Sequence, residues 1–261
     1  MSNFINRSLL TAGAIALVAL GVAVAQPGSR PFEPTVGQAG KDVVWVPSPQ
    51  ALVDRMLDMA KVTPKDFLVD LGSGDGRTVI TATKRGVKAR GIEYNPDMVA
   101  LSRRNAAAQD APNAEFVQGD IFQSDFSNAT VVTMFLLPAL NLRLRPQLLE
   151  MRPGTRLVSN TFDMGDWTPD QEISASSDCT SYCRAMLWIV PAKVGGTWKM
   201  AGGALTLTQQ YQMLSGTLNG QAIGNGRMNG SQITFTAGGR TYTGTVKGNT
   251  MSGSGWSATR G

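Results

Sequence analysis

The sequence predicts an α/β chain in which a mostly parallel sheet, with helices on both faces, precedes a small all-β antiparallel meander. Three observations predict it. Strand-like and helix-like runs alternate between residues 67 and 160, as a sheet covered by crossover helices requires. A glycine-rich turn, Gly72-Ser-Gly74-Asp-Gly76, stands between the first such strand and its helix. From about Gly195 the composition changes, and residues 197–261 hold 14 of the 29 glycines and no acidic residue.

The elements follow in order. Arg7 precedes an uncharged run from Leu9 to Ala25, which ends in Ala23-Val24-Ala25 before Gln26. That is the pattern of a signal peptide over residues 1–25 with a small-x-small cleavage site. The run is short for a spanning helix, which usually needs roughly 20 apolar residues. A membrane anchor over residues 9–25 is the other reading. Both favour an exported, periplasmic or extracytoplasmic location for the rest of the chain. Residues 26–44 read as a Pro/Gly-rich linker, with Pro27, Pro31 and Pro34.

The structured part, residues 45–194, opens with a helix expected at Ser48. Ser48 suits the N-cap, Pro49 the first helical position, and Leu52, Met56 and Ala60 recur every four residues. Phe67–Leu71 is a short apolar run stopped by glycine, as in a buried parallel strand. Arg77–Arg85 is a helix stopped by Gly86, and Val87–Glu93 a second strand. Asn95 caps the next helix, with Pro96 at its first position and Asp97 complementing its dipole. Glu115–Gln118 and Thr130–Leu136 are further strands. Pro138–Met151 reads as helical, with Pro146 expected to kink or shorten it. Thr155–Asn160 is a fifth strand, and Ile173–Ser176 with Arg184–Val190 suit a closing antiparallel hairpin.

Residues 195–261 read as a Gly-rich β domain, a meander forming a small open barrel or curled sheet. Its turns are marked by Asn219-Gly220, Asn229-Gly230, Gly238-Gly239 and Lys247-Gly248. Ser215-Gly-Thr-Leu-Asn-Gly220 recurs loosely as Thr243-Gly-Thr-Val-Lys-Gly248. Lys199, Arg227, Arg240, Lys247 and Arg260 give this part the whole net charge of +5, because the other 19 basic residues balance 19 acidic ones. An anionic envelope surface as partner and a merely solvated basic face are both open readings. Trp198, Tyr211, Phe235, Tyr242 and Trp256 are expected to form its core.

The chain has no histidine. That excludes an imidazole base, a Ser-His-Asp triad and a His-ligated metal. The two cysteines, Cys179 and Cys183, are either a disulfide across a turn or two ordinary small residues. No metal site is expected.

The chemistry concentrates at Asp70-Leu-Gly72-Ser-Gly74-Asp-Gly76-Arg77. Glycines at such a turn let the backbone approach a nucleotide closely. Arg77 occupies the place where a dinucleotide fingerprint needs its third glycine, and Asp70 at the strand end would repel a pyrophosphate. The negative Asp70 suits a cationic nucleoside without phosphate, which is S-adenosylmethionine (SAM). Glu93, 23 residues beyond Asp70, is placed to accept from the ribose hydroxyls. Asp120 is placed to accept from the adenine amino group, with Ile121 and Phe122 beside the ring. Three acids at three successive strand ends share the sheet edge where ligands bind.

With those residues in view, the block from about Val46 to Pro191 resembles a Rossmann-like class I SAM-dependent methyltransferase. It most resembles the ATP synthase c-subunit lysine methyltransferases and their bacterial relatives. The matching stretches are Val46-Pro-Ser-Pro49, Phe67–Arg77, Gly91-Ile-Glu-Tyr94, Gly119-Asp-Ile-Phe122, Ala129–Pro138, Asn141–Pro146 and Phe162-Asp-Met-Gly-Asp-Trp167. The resemblance implies that Asp70, Gly72, Ser73, Gly74, Asp75 and Gly76 hold the methionine part and Glu93, beside Tyr94, the ribose. It implies that Asp120 and Ile121 meet the adenine, and that Val46 and Pro47 lie over the cofactor. Phe135, Leu136 and Pro138 would line a methyl-acceptor channel. The leader and the β tail depart from the family.

The reading is a SAM-dependent methyltransferase acting on a protein lysine; a small-molecule or envelope acceptor is the alternative. A non-catalytic SAM-binding envelope protein, and a nicotinamide oxidoreductase on fold analogy, are the rivals. No nucleic acid partner is expected. An acceptor lysine must lose its proton, since roughly one amine in 2,500 is neutral at pH 7. Tyr94, Asp163 and Asp166 are the candidates for orienting that amine.

Overall fold

The computed structural model describes residues 31–175 and 179–261 together with Met1. The expected signal or anchor segment, residues 1–25, lies outside the described residues, as does the start of the linker. Residues 32–261 cluster into one compact unit.

The first sheet has seven strands: β1 (Phe67–Leu71), β2 (Lys88–Glu93), β3 (Ala114–Gln118), β4 (Val131–Met134), β5 (Arg156–Asn160), β6 (Gln171–Ser174) and β7 (Arg184–Ile189). Their order is β3-β2-β1-β4-β5-β7-β6. The first five are parallel, whereas β7 runs antiparallel to both β5 and β6. Four helices connect or flank them: α1 (Gln50–Met59), α2 (Arg77–Lys84), α3 (Pro96–Ala108) and α4 (Pro138–Leu149). β1 and β4 are buried almost throughout because helices cover both faces of the sheet. One apolar cluster joins α1, α2 and α3 to one face, with Leu52, Leu57 and Val79 fully buried. A second joins α4 to the other, around Leu144, Leu148 and Trp188.

The predicted elements are found with ends displaced by no more than two residues, and α4 runs on through Pro146. Asn95 caps α3 as expected, accepting from the Asp97 N–H at 2.8 Å. Ser48 does not cap α1. Pro49 is the N-cap residue, and the Ser48 hydroxyl instead accepts a 2.9 Å bond from Asn160 at the end of β5.

The second sheet holds nine strands: β8 (Gly196–Met200), β9 (Gly203–Gln210), β10 (Met213–Leu218), β11 (Gln221–Ala222), β12 (Gly224–Asn229), β13 (Gln232–Ala237), β14 (Arg240–Lys247), β15 (Thr250–Gly253) and β16 (Trp256–Arg260). Each pairs antiparallel with its neighbours, and the two ends meet because β8 pairs with both β16 and β9 while β9 pairs with β10. The meander is therefore a closed eight-stranded barrel with β11 added at the side of β10, not an open one. Closure leaves few unpaired strand edges. Trp198, Met228, Ile233 and Phe235 fill it, all fully buried. Of the five aromatics expected in that core, Tyr211 faces elsewhere. Its ring stacks on Trp167 at 5.6 Å and packs in the second methyltransferase-side cluster.

That junction is built from buried polar bonds. The Trp167 indole donates to Gln212 Oε1 at 3.0 Å, and Gln212 Nε2 donates to the Thr168 carbonyl at 2.7 Å. Arg227, one of the five tail cations, is salt-bridged to Asp170.

Candidate active site

The strand order reverses between β1 and β4, and the crevice at their carboxyl ends is where such sheets bind ligands. A pocket opens there, lined from β1, β2 and β4, the turns after them, and residues 38–48. Asp70 ends up buried because β1 pairs on both sides. Its carboxylate faces hydroxyls, with Thr133 Oγ1 donating at 2.6 Å. Burial, helped by the neighbouring Asp75 and Glu93 charges, pushes its pKa up to about 7 against the Thr133 and Thr78 hydrogen bonds.

The turn after β1 wraps the next acid. Gly74 N–H donates to Glu93 Oε2 at 3.0 Å, and Asn95 N–H to Glu93 Oε1 at 2.9 Å. Two backbone donors thus fix the Glu93 carboxylate at the tip of β2. Gly72, Gly74 and Gly76 all have positive φ (74°, 54° and 85°), which other residues adopt at a cost. A Cβ on Gly74 would lie 2.8 Å from the Trp45 indole nitrogen, and one on Gly76 would lie 2.7 Å from Phe116 and Ser102. Arg77 has its own task where a third glycine could stand. Its guanidinium pairs with Asp75 and donates to the Ser48 carbonyl at 2.7 Å, tying the turn to residues 45–48.

Residues 38–45 form a small hairpin of their own, with Gly37 N–H bonded to the Trp45 carbonyl and Trp45 N–H to the Gln38 carbonyl. Read from sequence as linker, residues 38–44 line the pocket. Lys41 reaches across to Asp120 at 2.6 Å and lies 4.6 Å from the Tyr94 ring centroid. Its hydrogen bond holds the Asp120 carboxyl below the usual range, and the Phe122 N–H assists.

Of the residues singled out by sequence, Val46, Pro47, Asp70, Gly72, Ser73, Gly74, Asp75, Glu93, Tyr94, Asp120, Ile121, Phe135 and Leu136 line this one pocket. Gly76 lies behind it, at the N-cap of α2. Pro138 does not line it. As the first residue of α4 it is exposed, and Leu137 and Leu140 stand at the wall instead. Asp163 and Asp166 do not line it either. Asp163 accepts from the Gly165 N–H, and Asp166 is taken by Arg145 and by the Tyr211 hydroxyl at the barrel junction. Those bonds, Arg145 first, hold the Asp166 carboxyl below its ordinary value.

Residues 70–171 match the ANTKMT methyltransferase domain family. Over 135 residues the chain is 44% identical to a protein-lysine N-methyltransferase of Saccharolobus islandicus (strain REY15A), covering 50% of this chain and 84% of that relative. The chain belongs to this family of SAM-dependent methyltransferases. It is also 34% identical to the ATP synthase c-subunit lysine N-methyltransferase of Homo sapiens, over 48% of this chain and 54% of that one, so it spans about half the length of the human relative. A solved RNA methyltransferase from Salinibacter ruber, in complex with S-adenosylhomocysteine, superposes with a TM-score of 0.53 at 46% identity. That likeness covers 57% of this chain and 96% of that one.

The methyltransferase uses SAM as cofactor, and its pocket fits that group on its own terms. A buried carboxylate whose pKa burial raises to about 7 suits a ligand carrying an ammonium and a sulfonium. The Ser73 hydroxyl is buried without a hydrogen-bond partner among the described residues, between Gly72 and Gly74, which line the pocket with it.

Sequence reasoning missed Trp45, Met98, Phe162 and Tyr182, which also line the pocket. Trp45 and Met98 carry no local signal, because the folded hairpin brings Trp45 to the glycine turn and the packing of α3 brings Met98. Phe162 follows β5, and Tyr182 lies between the two cysteines, whose spacing was the one available signal. Cys179 and Cys183 are disulfide-bonded.

Proposed function

We propose that this methyltransferase transfers a methyl group from SAM to the side-chain amine of a lysine in a protein acceptor. The observation that carries the reading is the 44% identity across 84% of a protein-lysine N-methyltransferase. The wall of the pocket agrees with it. Met134, Phe135, Leu136, Leu137, Leu140 and Phe162 make it apolar next to the cofactor turn.

When bound, SAM supplies a methyl group on a positively charged sulfur that is a good leaving group. The chain's own residues have four tasks. Asp70 meets the cationic end of the cofactor from the floor of the pocket, and the Gly72–Gly76 turn shapes its seat. Glu93, already oriented by two backbone N–H groups, accepts from the ribose hydroxyls. Asp120 accepts from the adenine amino group once Lys41 gives it up. The aliphatic part of the wall, Met134, Leu136 and Leu140, excludes water and disfavours the ammonium form of the acceptor, which leaves a neutral amine as nucleophile. Tyr94 is the surviving candidate for orienting it.

Incubating the purified chain with methyl-labelled SAM and a cell-envelope extract tests the reading. Mass spectrometry is expected to find label on lysine. Label recovered in RNA, the substrate class named for the Salinibacter ruber neighbour, or in a small molecule would replace it.

We also propose that the chain acts outside the cytoplasm, with its barrel turned to an anionic envelope surface. The run from Leu9 to Ala25 supports export, and a disulfide is at home in an oxidising compartment. Lys199, Arg240 and Lys247 are exposed on the barrel. A reporter enzyme fused to the C-terminus should be active only beyond the membrane, and activity only inside would sink the idea.

A further inference from the structure

Three aromatic rings meet at one wall of the pocket. Phe135, just beyond β4, stacks on Phe162, just beyond β5, with centroids 5.9 Å apart and planes at 20°. Tyr182, from the β6–β7 connection, stands edge-on to Phe135 at 5.1 Å and 6.2 Å from Phe162. Three sequence-distant segments thus place their faces and edges around one small space. Such a group of rings attracts an alkylammonium ion through the negative faces of their π systems.

Tyr182 is the unusual member. Its ring is 40% exposed, and its φ of 55° is a left-handed conformation that bulky residues seldom adopt. Below it the β6–β7 stem is conventional: Ala175 N–H bonds to the Cys183 carbonyl and Ser174 pairs with Arg184. Above the stem, among the described residues, the ring contacts and the disulfide joining its neighbour Cys183 to Cys179 hold Tyr182 over the pocket.

We propose that Tyr182 is an acceptor-recognising residue that completes an aromatic site for an alkylammonium side chain, and that the Cys179–Cys183 disulfide positions it. The affinity for the acceptor, and not for the cofactor, then follows the redox state of the cysteine pair. Reduction by a dithiol breaks the S–S bond and forms two thiols. Two electrons and two protons come from the dithiol, which closes its own disulfide. The loop is released, and Tyr182 no longer has a covalent reason to stay beside Phe135 and Phe162. The rings hold the ammonium at the open wall; the amine passes its proton to solvent water there and advances as the neutral base past buried Met134 and Leu136, which disfavour the charged form. This deepens the lysine reading and rests on it for the acceptor's identity.

The test is binding of Nα-acetyl-trimethyllysine amide, and of its uncharged tert-butyl analogue, to the full chain saturated with S-adenosylhomocysteine. The charged probe should bind the oxidised chain more tightly than the neutral one. Tyr182→Leu should weaken it about fivefold, the size of a cation–π contribution at a half-exposed site, and Tyr182→Phe should restore it. Dithiothreitol should weaken it similarly and leave S-adenosylhomocysteine binding unchanged. The chain has only these two cysteines, so the reductant has no other target. The Cys179→Ser/Cys183→Ser double variant should match the reduced chain and ignore the reductant. In turnover, the acceptor KM should rise while the SAM KM holds. Methylation of lysine that is indifferent to both Tyr182→Leu and reduction would overturn this proposal and leave the lysine reading standing. Redox-dependent binding of the charged probe without lysine methylation would do the reverse, and the acceptor would be another alkylammonium.

Discussion

The Lys41 ammonium sits 2.6 Å from the Asp120 carboxylate, so a residue of the N-terminal hairpin neutralises the acid best placed to read an adenine amino group. The pair is exposed enough that its strength is modest, and it must open when the carboxylate takes another partner. Lys41→Ala should therefore tighten SAM binding about twofold to fivefold, within the range of an exposed ion pair. Asp120→Ala should weaken it. Calorimetric titration of both variants checks the opposite signs, and two changes in the same direction would show that Lys41 does not compete.

Asp70 makes cofactor binding depend on pH. Burial raises its folded pKa to about 7 from an ordinary 3.8, so the cofactor-free fold holds this proton more tightly than the unfolded chain. The stability it contributes is fully present below about pH 4 and is lost as pH rises through about 7. A cationic ligand reverses the preference, because it needs the carboxylate. SAM affinity should then fall by up to about tenfold for each pH unit below 7. Asp70→Asn should bind SAM weakly with this pH dependence gone, and should raise the melting temperature of the cofactor-free chain at pH 8. A wild-type affinity that is flat between pH 5.5 and 8 would refute the assignment.

Gly74 and Gly76 lie two residues apart, yet alanine at each should fail differently. At Gly74 the new methyl meets the Trp45 indole, so the N-terminal hairpin shifts and SAM binding is lost, while stability falls by the left-handed strain alone, about 1–2 kcal/mol. At Gly76 it meets Phe116 and Ser102 inside the α2–α3–β3 packing. Left-handed strain plus overpacking there should cost about 2–4 kcal/mol of stability. Urea unfolding beside a SAM titration separates the two.

The junction between sheet and barrel depends on Trp167. Trp167→Phe keeps an aromatic ring but removes the indole N–H that satisfies Gln212 Oε1, and both residues are buried. Leaving that oxygen unpaired should cost about 1–3 kcal/mol. Trp167→Phe combined with Gln212→Leu should recover part of it in denaturant unfolding.

Much of this was legible in the chain itself. β1 is a short run, apolar but for Asp70, that stops at a glycine turn, and Asn95-Pro96-Asp97 spells a helix start, so both could be placed from local chemistry alone. Asp70, Glu93 and Asp120 converge because each closes a parallel strand, and parallel strands end on one edge. Asp163 and Asp166 looked just as available. Arg145 on α4 and Tyr211 on the barrel claim Asp166, and partners so distant in sequence leave no mark beside it. Ser48 looked like a cap, but Asn160 reached it from 112 residues away.

The sequence by itself determined the layer order of the α/β part, the glycine turn after β1 and the three strand-end acids. Periodicity, glycine freedom and the direction of a strand are local properties. Only the tertiary structure decided that the β tail closes on itself and that a supposed linker forms a pocket wall. It also decided that Tyr182 joins Phe135 and Phe162. Each of these depends on which distant surfaces meet, and that is settled by packing and by burial of the polar groups between them.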